Sequence, residues 1–169
     1  MKLYSYFRSS ASYRVRIALN LKGLPYETVP VHLLNNGGEQ LAPSYRALNP
    51  DGVVPSLESD GSVLTQSLAI IEYLEETHPA VPLLPADPLA RAYVRAVALS
   101  IACEIHPVNN LRILKYLSGT LKVSEDDKNA WYRHWCEEGL QALEQLVVNS
   151  GRAGKFVLGD APGLADCFL

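Results

Sequence analysis

The sequence predicts a two-part chain, an α/β domain of order β-α-β-α-β-β-α followed by an all-α domain, and three observations predict it. Before about residue 80, short β-type runs alternate with helical ones. A tight Asp60-Gly61 turn joins two of those runs, and beyond the proline-rich HPAVPLLPADP (78–88) every apolar pattern has a helical period.

The elements follow in order. KLYSYF (2–7) is a first strand that feeds a helix closed by Gly23. YETVPVHL (26–33) is a second strand with Val29, Val31 and Leu33 on one face. A β-α-β unit implies parallel strands and a right-handed crossover. NNGGEQLAPSYRALNPDG (35–52) is a looped region holding a connecting helix. VPSLES (54–59) and SVLTQ (62–66) then form a hairpin, antiparallel because so short a turn allows nothing else, and a helix runs from about Leu68 to His78 with Ser67 as its N-cap. The prolines that follow lack N–H groups and restrict their neighbours, which makes a linker. Asp87 as N-cap and Pro88 at the first helical position open a helix expected to reach about Leu117 with a kink at His106-Pro107. Ser124 and Asp127 resemble a capping box at the head of a helix to about Val148, carrying Trp131, Trp135, Leu143 and Leu146. The last helix begins after Gly163 and is expected to be cut short, with residues expected beyond Leu169. The domains are therefore 1–80, a linker 81–87, and 88–169.

Bulk composition excludes several function classes. The 169 residues are 48% apolar, as in ordinary globular proteins, and 15 Lys+Arg against 18 Asp+Glu give a net charge of −3 with no basic run. A nucleic-acid footprint or a polybasic membrane patch is not expected. MKLYSYFRS is too short in apolar residues for a signal peptide, and no stretch approaches the roughly 18 apolar residues of a membrane span, so a cytoplasmic, soluble protein is expected. Cys103, Cys136 and Cys167 are odd in number and widely spaced, which fits buried small hydrophobes better than a disulfide framework, a dithiol or a metal centre.

Chemistry concentrates where strands meet helices. YFRSSASYRVRIALNL (6–21) sets Ser9 and Ser10 where a strand aims the free N–H groups of a helix start at the space above it. Serines there either cap the helix or donate to a bound thiolate or carboxylate. Gln66-Ser67 forms a second such junction. Val54-Pro55 opens a strand at the one kind of bond that is readily cis, which would leave the Val54 backbone N–H and C=O for a peptide-like ligand.

Together with LNPDGVVPSLESDG, LTQSLAIIEYLEETHP, LLPADP, HPVNNLRIL and LADCFL, these residues make the chain similar, over essentially its whole length, to the zeta class of glutathione S-transferases. That class includes maleylacetoacetate and maleylpyruvate isomerases. The resemblance implies the glutathione transferase fold, a thioredoxin-like glutathione-binding domain followed by a helical domain, in a homodimer. It implies glutathione as cofactor, with Ser9 on its sulfur and Ser10 as the alternative donor. Gln66 and Ser67 would hold the γ-glutamyl end, Val54 the cysteinyl backbone, and Gln40 the glycyl end, with His106 and Asn110 also in contact. Donors on the sulfur and a helix N-terminus favour the thiolate.

Ala11, in the glutathione-contacting stretch, stands where relatives carry cysteine, so a thiol of the protein's own is absent there. Gly163 replaces a capping hydroxyl residue, a loss of a few tenths of a kcal/mol. Arg8 and Arg112 are either surface cations or ligands of the substrate carboxylates, since a guanidinium fits a carboxylate bidentately. Arg14 and Arg16, inside a helix, are read as structural, and His32, His78 and His134 as surface or packing residues. His106 is a glutathione contact or a kink residue. Tyr4 and Tyr6 alternate on the first strand, where at least one should pack. The expected activity is glutathione-dependent cis–trans isomerisation of a maleyl keto-diacid, with no metal. The alternatives are a transferase or dehalogenase for small electrophiles and a non-catalytic binding module.

Overall fold

Strand-forming residues at the amino end pair into one mixed sheet. The structure, a computed structural model, describes residues 1–169. The chain divides into two compact units, Met1–Leu84 and Pro85–Leu169.

In the first unit β1 (Lys2–Ser5), β2 (Glu27–Pro30), β3 (Ser56–Ser59) and β4 (Ser62–Thr65) form a sheet of order β2-β1-β3-β4. β1 runs parallel to β2 and antiparallel to β3, and β3 pairs antiparallel with β4. Asp60 (φ 49°) and Gly61 (φ 75°) make the two-residue turn between the last two, since left-handed backbone at both positions matches the strand twist. β2 is an edge strand, where Pro30 costs no ladder hydrogen bond. Val29 is therefore only half-buried, while Val31 joins the core.

Alternation along β1 sends Leu3 and Tyr4 to opposite faces. Leu3 opposes Leu57 in register, and both are fully buried with Val15 and Leu19 of α1 (Ser10–Leu21) and Ile70, Ile71 and Leu74 of α3 (Ser67–Thr77). On the other face Tyr4 packs against a cluster of Tyr6, Val31, Tyr45 and Val54, with Tyr45 supplied by the short α2 (Pro43–Arg46). Single 3₁₀ turns at 35–37 and 39–41 lead into α2. His32 Nδ1 accepts from Leu34 N and Asn35 N at 3.2 and 3.0 Å, so this ring organises a turn and packs against Tyr6.

The far end of this unit closes on a buried ion pair. Lys22 Nζ lies 2.7 Å from Glu75 Oε2 and donates to His78 O and Val81 O, while Glu75 accepts from the backbone N–H groups of Leu83 and Leu84.

The second unit is helical: α4 (Pro88–Leu99), a π-helical stretch at 100–105, α5 (His106–Val108), α6 (Leu111–Gly119), α7 (Glu125–Ser150) and α8 (Leu164–Phe168). Asp87 caps α4 by accepting from Ala90 N at 2.8 Å. The continuous helix to Leu117 with one kink is corrected. The widened turns precede Pro107, whose ring cannot sit under the carbonyl four residues back, and the chain breaks at Asn109-Asn110, where Asn110 Oδ1 caps α6 through Arg112 N at 3.1 Å. The Ser124–Asp127 box is half formed. Ser124 Oγ accepts from Asp127 N, but Asp127 receives the Ser124 hydroxyl instead of a backbone N–H. Of the apolar residues expected to pack along α7, Leu143 alone is buried. Cys167 is buried, whereas Cys103 is exposed and Cys136 half-buried, which corrects the reading of three buried cysteines. Gly163 opens α8 without a hydroxyl cap. Asp166 offsets this by accepting from Gly163 N at 2.8 Å and Val157 N at 3.0 Å. No helix is long and apolar enough to cross a membrane.

Candidate functional site

At the β1–α1 junction Ser9 is the N-cap, with extended backbone (φ −80°, ψ 116°), and its Oγ accepts from Ser12 N at 3.2 Å. That bond uses an oxygen lone pair and leaves the hydroxyl hydrogen for another acceptor. Ser10 and Arg8 are exposed, and Ala11 is half-buried in the first turn. Arg16 Nη2 donates to Phe7 O at 3.2 Å and ties the turn to the helix behind it.

The β4–α3 junction is built differently. Ser67 is not the N-cap. Gln66 is, at φ 68° and ψ 118°, with no side-chain capping bond, and Ser67 is the first helical residue. A residue already inside the helix points its side chain off the axis, where it is available to a partner other than its own turn. Its Oγ accepts a hydrogen bond from Arg14 Nη1 at 3.2 Å, and both residues are buried. Gln66 is exposed, and a non-glycine at φ 68° is an uncommon conformation held by the surrounding hairpin and helix.

The remaining first-unit candidates lie on the segment between β2 and β3. Gln40 is buried, and its Oε1 has no hydrogen-bond partner. Its side chain folds over Gly38, whose φ of 118° is left-handed backbone that favours glycine. The Val54-Pro55 bond is cis. Neither the N–H nor the C=O of Val54 takes part in a hydrogen bond within the chain. Its neighbour is held firmly: Val53 O accepts from Tyr45 Oη and Asn49 Nδ2, both at 2.8 Å, and Ser56 Oγ joins the same network. Burial pushes the Tyr45 hydroxyl up against the opposing effect of Ser56 and Asn49, so it stays protonated and able to donate.

In the second unit His106, Asn110 and Arg112 fall on one short stretch. Asn110 Nδ2 and His106 Nε2 are 3.3 Å apart, and both residues are half-buried. Asn110 spends its oxygen on the α6 cap, and Arg112 is exposed.

Residues 3–82 match the family profile "Glutathione S-transferase, N-terminal domain". A maleylacetoacetate isomerase of Pseudomonas aeruginosa is 51% identical over 170 residues, covering 100% of this chain and 78% of that protein. The chain belongs to the glutathione S-transferase family. Among solved structures, a holo maleylpyruvate isomerase, a bacterial glutathione S-transferase of the zeta class, superposes with a TM-score of 0.94 at 49% identity, covering 99% of this chain and 78% of that one. A maleylacetoacetate isomerase from Anaeromyxobacter dehalogenans, with bound dicarboxyethyl glutathione and citrate in its active site, gives 0.83 at 42% identity over 99% of this chain and 75% of that one.

Two features of this glutathione S-transferase escaped a reading by sequence. By sequence Arg14 reads as a structural residue, yet it donates to Ser67. A signal existed, because it shares its helix face with Val15, Ala18 and Leu19 and a cation on a buried face needs a partner. The Tyr45–Asn49–Ser56 network carries no such signal, since isolated polar residues at the ends of short elements look solvated.

Proposed function

We propose that the protein is a glutathione-dependent cis–trans isomerase of a maleyl keto-diacid, maleylacetoacetate or maleylpyruvate. The observation that carries the glutathione site is the hydrogen-bonding state of the first unit. Ser9 and Ser67 have accepted one bond each and keep a hydroxyl hydrogen to give, Val54 has an open backbone edge, and Gln40 Oε1 is a buried acceptor without a donor. These are the complements of a thiolate, a carboxylate, a peptide unit and an N–H, so the residues present fit the tripeptide. The reaction is supported by the isomerase relatives, which align along nearly the whole chain.

When bound, glutathione supplies a thiolate whose reversible addition to the cis double bond leaves a single bond free to rotate before elimination. Ser9 donates to the sulfur and, with the start of α1, holds it in the charged form, with Ser10 next to it at the helix start. Ala11 leaves no competing thiol. Gln66 and Ser67 hold the γ-glutamyl end, Val54 the cysteinyl backbone and Gln40 the glycyl end. His106 and Asn110 are assigned to glutathione by the family resemblance. Arg8 and Arg112 are each assigned to a substrate carboxylate, since a chain of net charge −3 can capture a dianion only by local cations. The protein works as a cytoplasmic homodimer.

Turnover of maleylacetoacetate and of maleylpyruvate, each with and without glutathione, tests the reaction directly; no isomerisation of either would refute it. Ser9→Ala should lower turnover at least about tenfold, ~1.4 kcal/mol, with glutathione affinity nearly unchanged, and equal activity would transfer the role to Ser10. Arg112→Gln should raise the Michaelis constant for the diacid and spare conjugation of an uncharged chlorinated nitrobenzene. A parallel fall in both activities would assign Arg112 to the glutathione site or the fold.

A further inference from the structure

We propose that Arg14 is a positioning residue for the γ-glutamyl carboxylate of glutathione, acting through Ser67; the inference rests on the glutathione reading above and extends it to a residue that never touches the ligand.

A guanidinium has only donors and stays charged at any pH the protein meets. Ser67 Oγ must therefore be the acceptor in its 3.2 Å bond with Arg14 Nη1, and the Ser67 hydroxyl hydrogen points elsewhere. No acceptor within the chain takes it, although Ser67 is 7% exposed and Arg14 4%. A buried hydroxyl without an acceptor is poorly satisfied unless a ligand completes it. Accepting from a charged donor also polarises the hydroxyl and strengthens what it gives. Ser67 is the first residue of α3, so the free N–H groups of that helix start lie beside it and favour the same anion. α1 and α3 pack together, and Arg14 delivers its charge to this spot from within α1. The anion is thereby offered an aligned hydroxyl, open backbone donors and a buried cation one bond behind them. Direct contact with the guanidinium is not needed.

A purely structural role, a staple between α1 and α3, would weaken the fold and with it every ligand equally. The test compares glutathione with γ-aminobutyryl-cysteinyl-glycine, which lacks only the α-carboxylate, using calorimetry on the whole protein and on Ser67→Ala, Arg14→Gln and the double variant. Arg14→Gln is expected to raise the glutathione Kd at least tenfold and to change the analogue Kd less than twofold. In the Ser67→Ala background the same substitution should add less than twofold. Arg14→Lys, which returns a cation, should recover part of the glutathione affinity. If Arg14→Gln fails to fold, the Lys variant carries the comparison, since it too should weaken glutathione more than the analogue. Equal weakening of both ligands, or full additivity in the double variant, would overturn the proposal while leaving the glutathione site in place. An unchanged glutathione Kd in Ser67→Ala would instead overturn the reading of the junction itself.

Discussion

The two units bury different chemistry. Nine polar or charged residues are buried in Met1–Leu84, among them Arg14, Lys22, Gln40, Asn49 and Ser67, whereas Pro85–Leu169 buries none. The second unit exposes more large apolar side chains than the first, Leu89, Tyr116, Leu121 and Val148 among them. Burying a polar group is costly unless its bonds are met, so the first unit is specified by directional contacts with few alternatives. The second is held by helix caps and non-directional apolar packing. A site that must recognise a peptide's charges and amides needs the first kind of interior. Ser67, Gln40 and Val54, proposed to hold glutathione, belong to that kind of interior.

The comparison is sharpened most by removing one partner of the buried ion pair. Glu75→Ala leaves Lys22 charged and uncompensated and strips the acceptor from Leu83 and Leu84, so unfolding in urea should show a loss of about 3–5 kcal/mol. Burial alone would push the Glu75 carboxyl up, but the Lys22 hydrogen bond and charge and the two backbone donors outweigh it and hold it below the usual range. The stability it adds is full above the unfolded carboxylate range and is lost as pH falls through the lower folded value, and Glu75→Gln should flatten that acid limb. A loss under about 1 kcal/mol would mean that the directional interior is not what holds this unit.

Asp166 is the nearest counterpart in the second unit, a half-buried carboxylate holding two backbone N–H groups. Asp166→Ala should cost about 1–2 kcal/mol in the same measurement, well short of Glu75. Were the two losses equal, the contrast between the units would fail. The smallest effect belongs to Lys128, whose i,i+3 pair with the exposed Glu125 lies on the surface of α7. Lys128→Ala should change stability by no more than about 0.5 kcal/mol, and 1 M salt should erase the change.

Wherever the determining chemistry is local, the amino-acid sequence was enough. Asp60-Gly61 dictates the hairpin, Asp87-Pro88 the start of α4 and Ser124 the start of α7, because each depends on dihedral preference or a bond spanning three residues. The parallel first pair and the antiparallel hairpin follow from the β-α-β and β-β sequence of elements, whereas the β1–β3 pairing that joins them in one sheet does not. The serines at both strand-to-helix junctions were legible for the same reason. What only the tertiary structure decided lies across long separations. Arg14 meets Ser67 from 53 residues away, Lys22 meets the Val81 carbonyl from 59, and Asn110 rather than Pro107 breaks the helical run because a cap competes with a kink. Ser67 itself changed role, from cap to first helical residue, once the hairpin held Gln66 at φ 68°. A buried charge specifies that a partner must exist; which residue it is depends on how sheet and helices pack, and no local propensity carries that information.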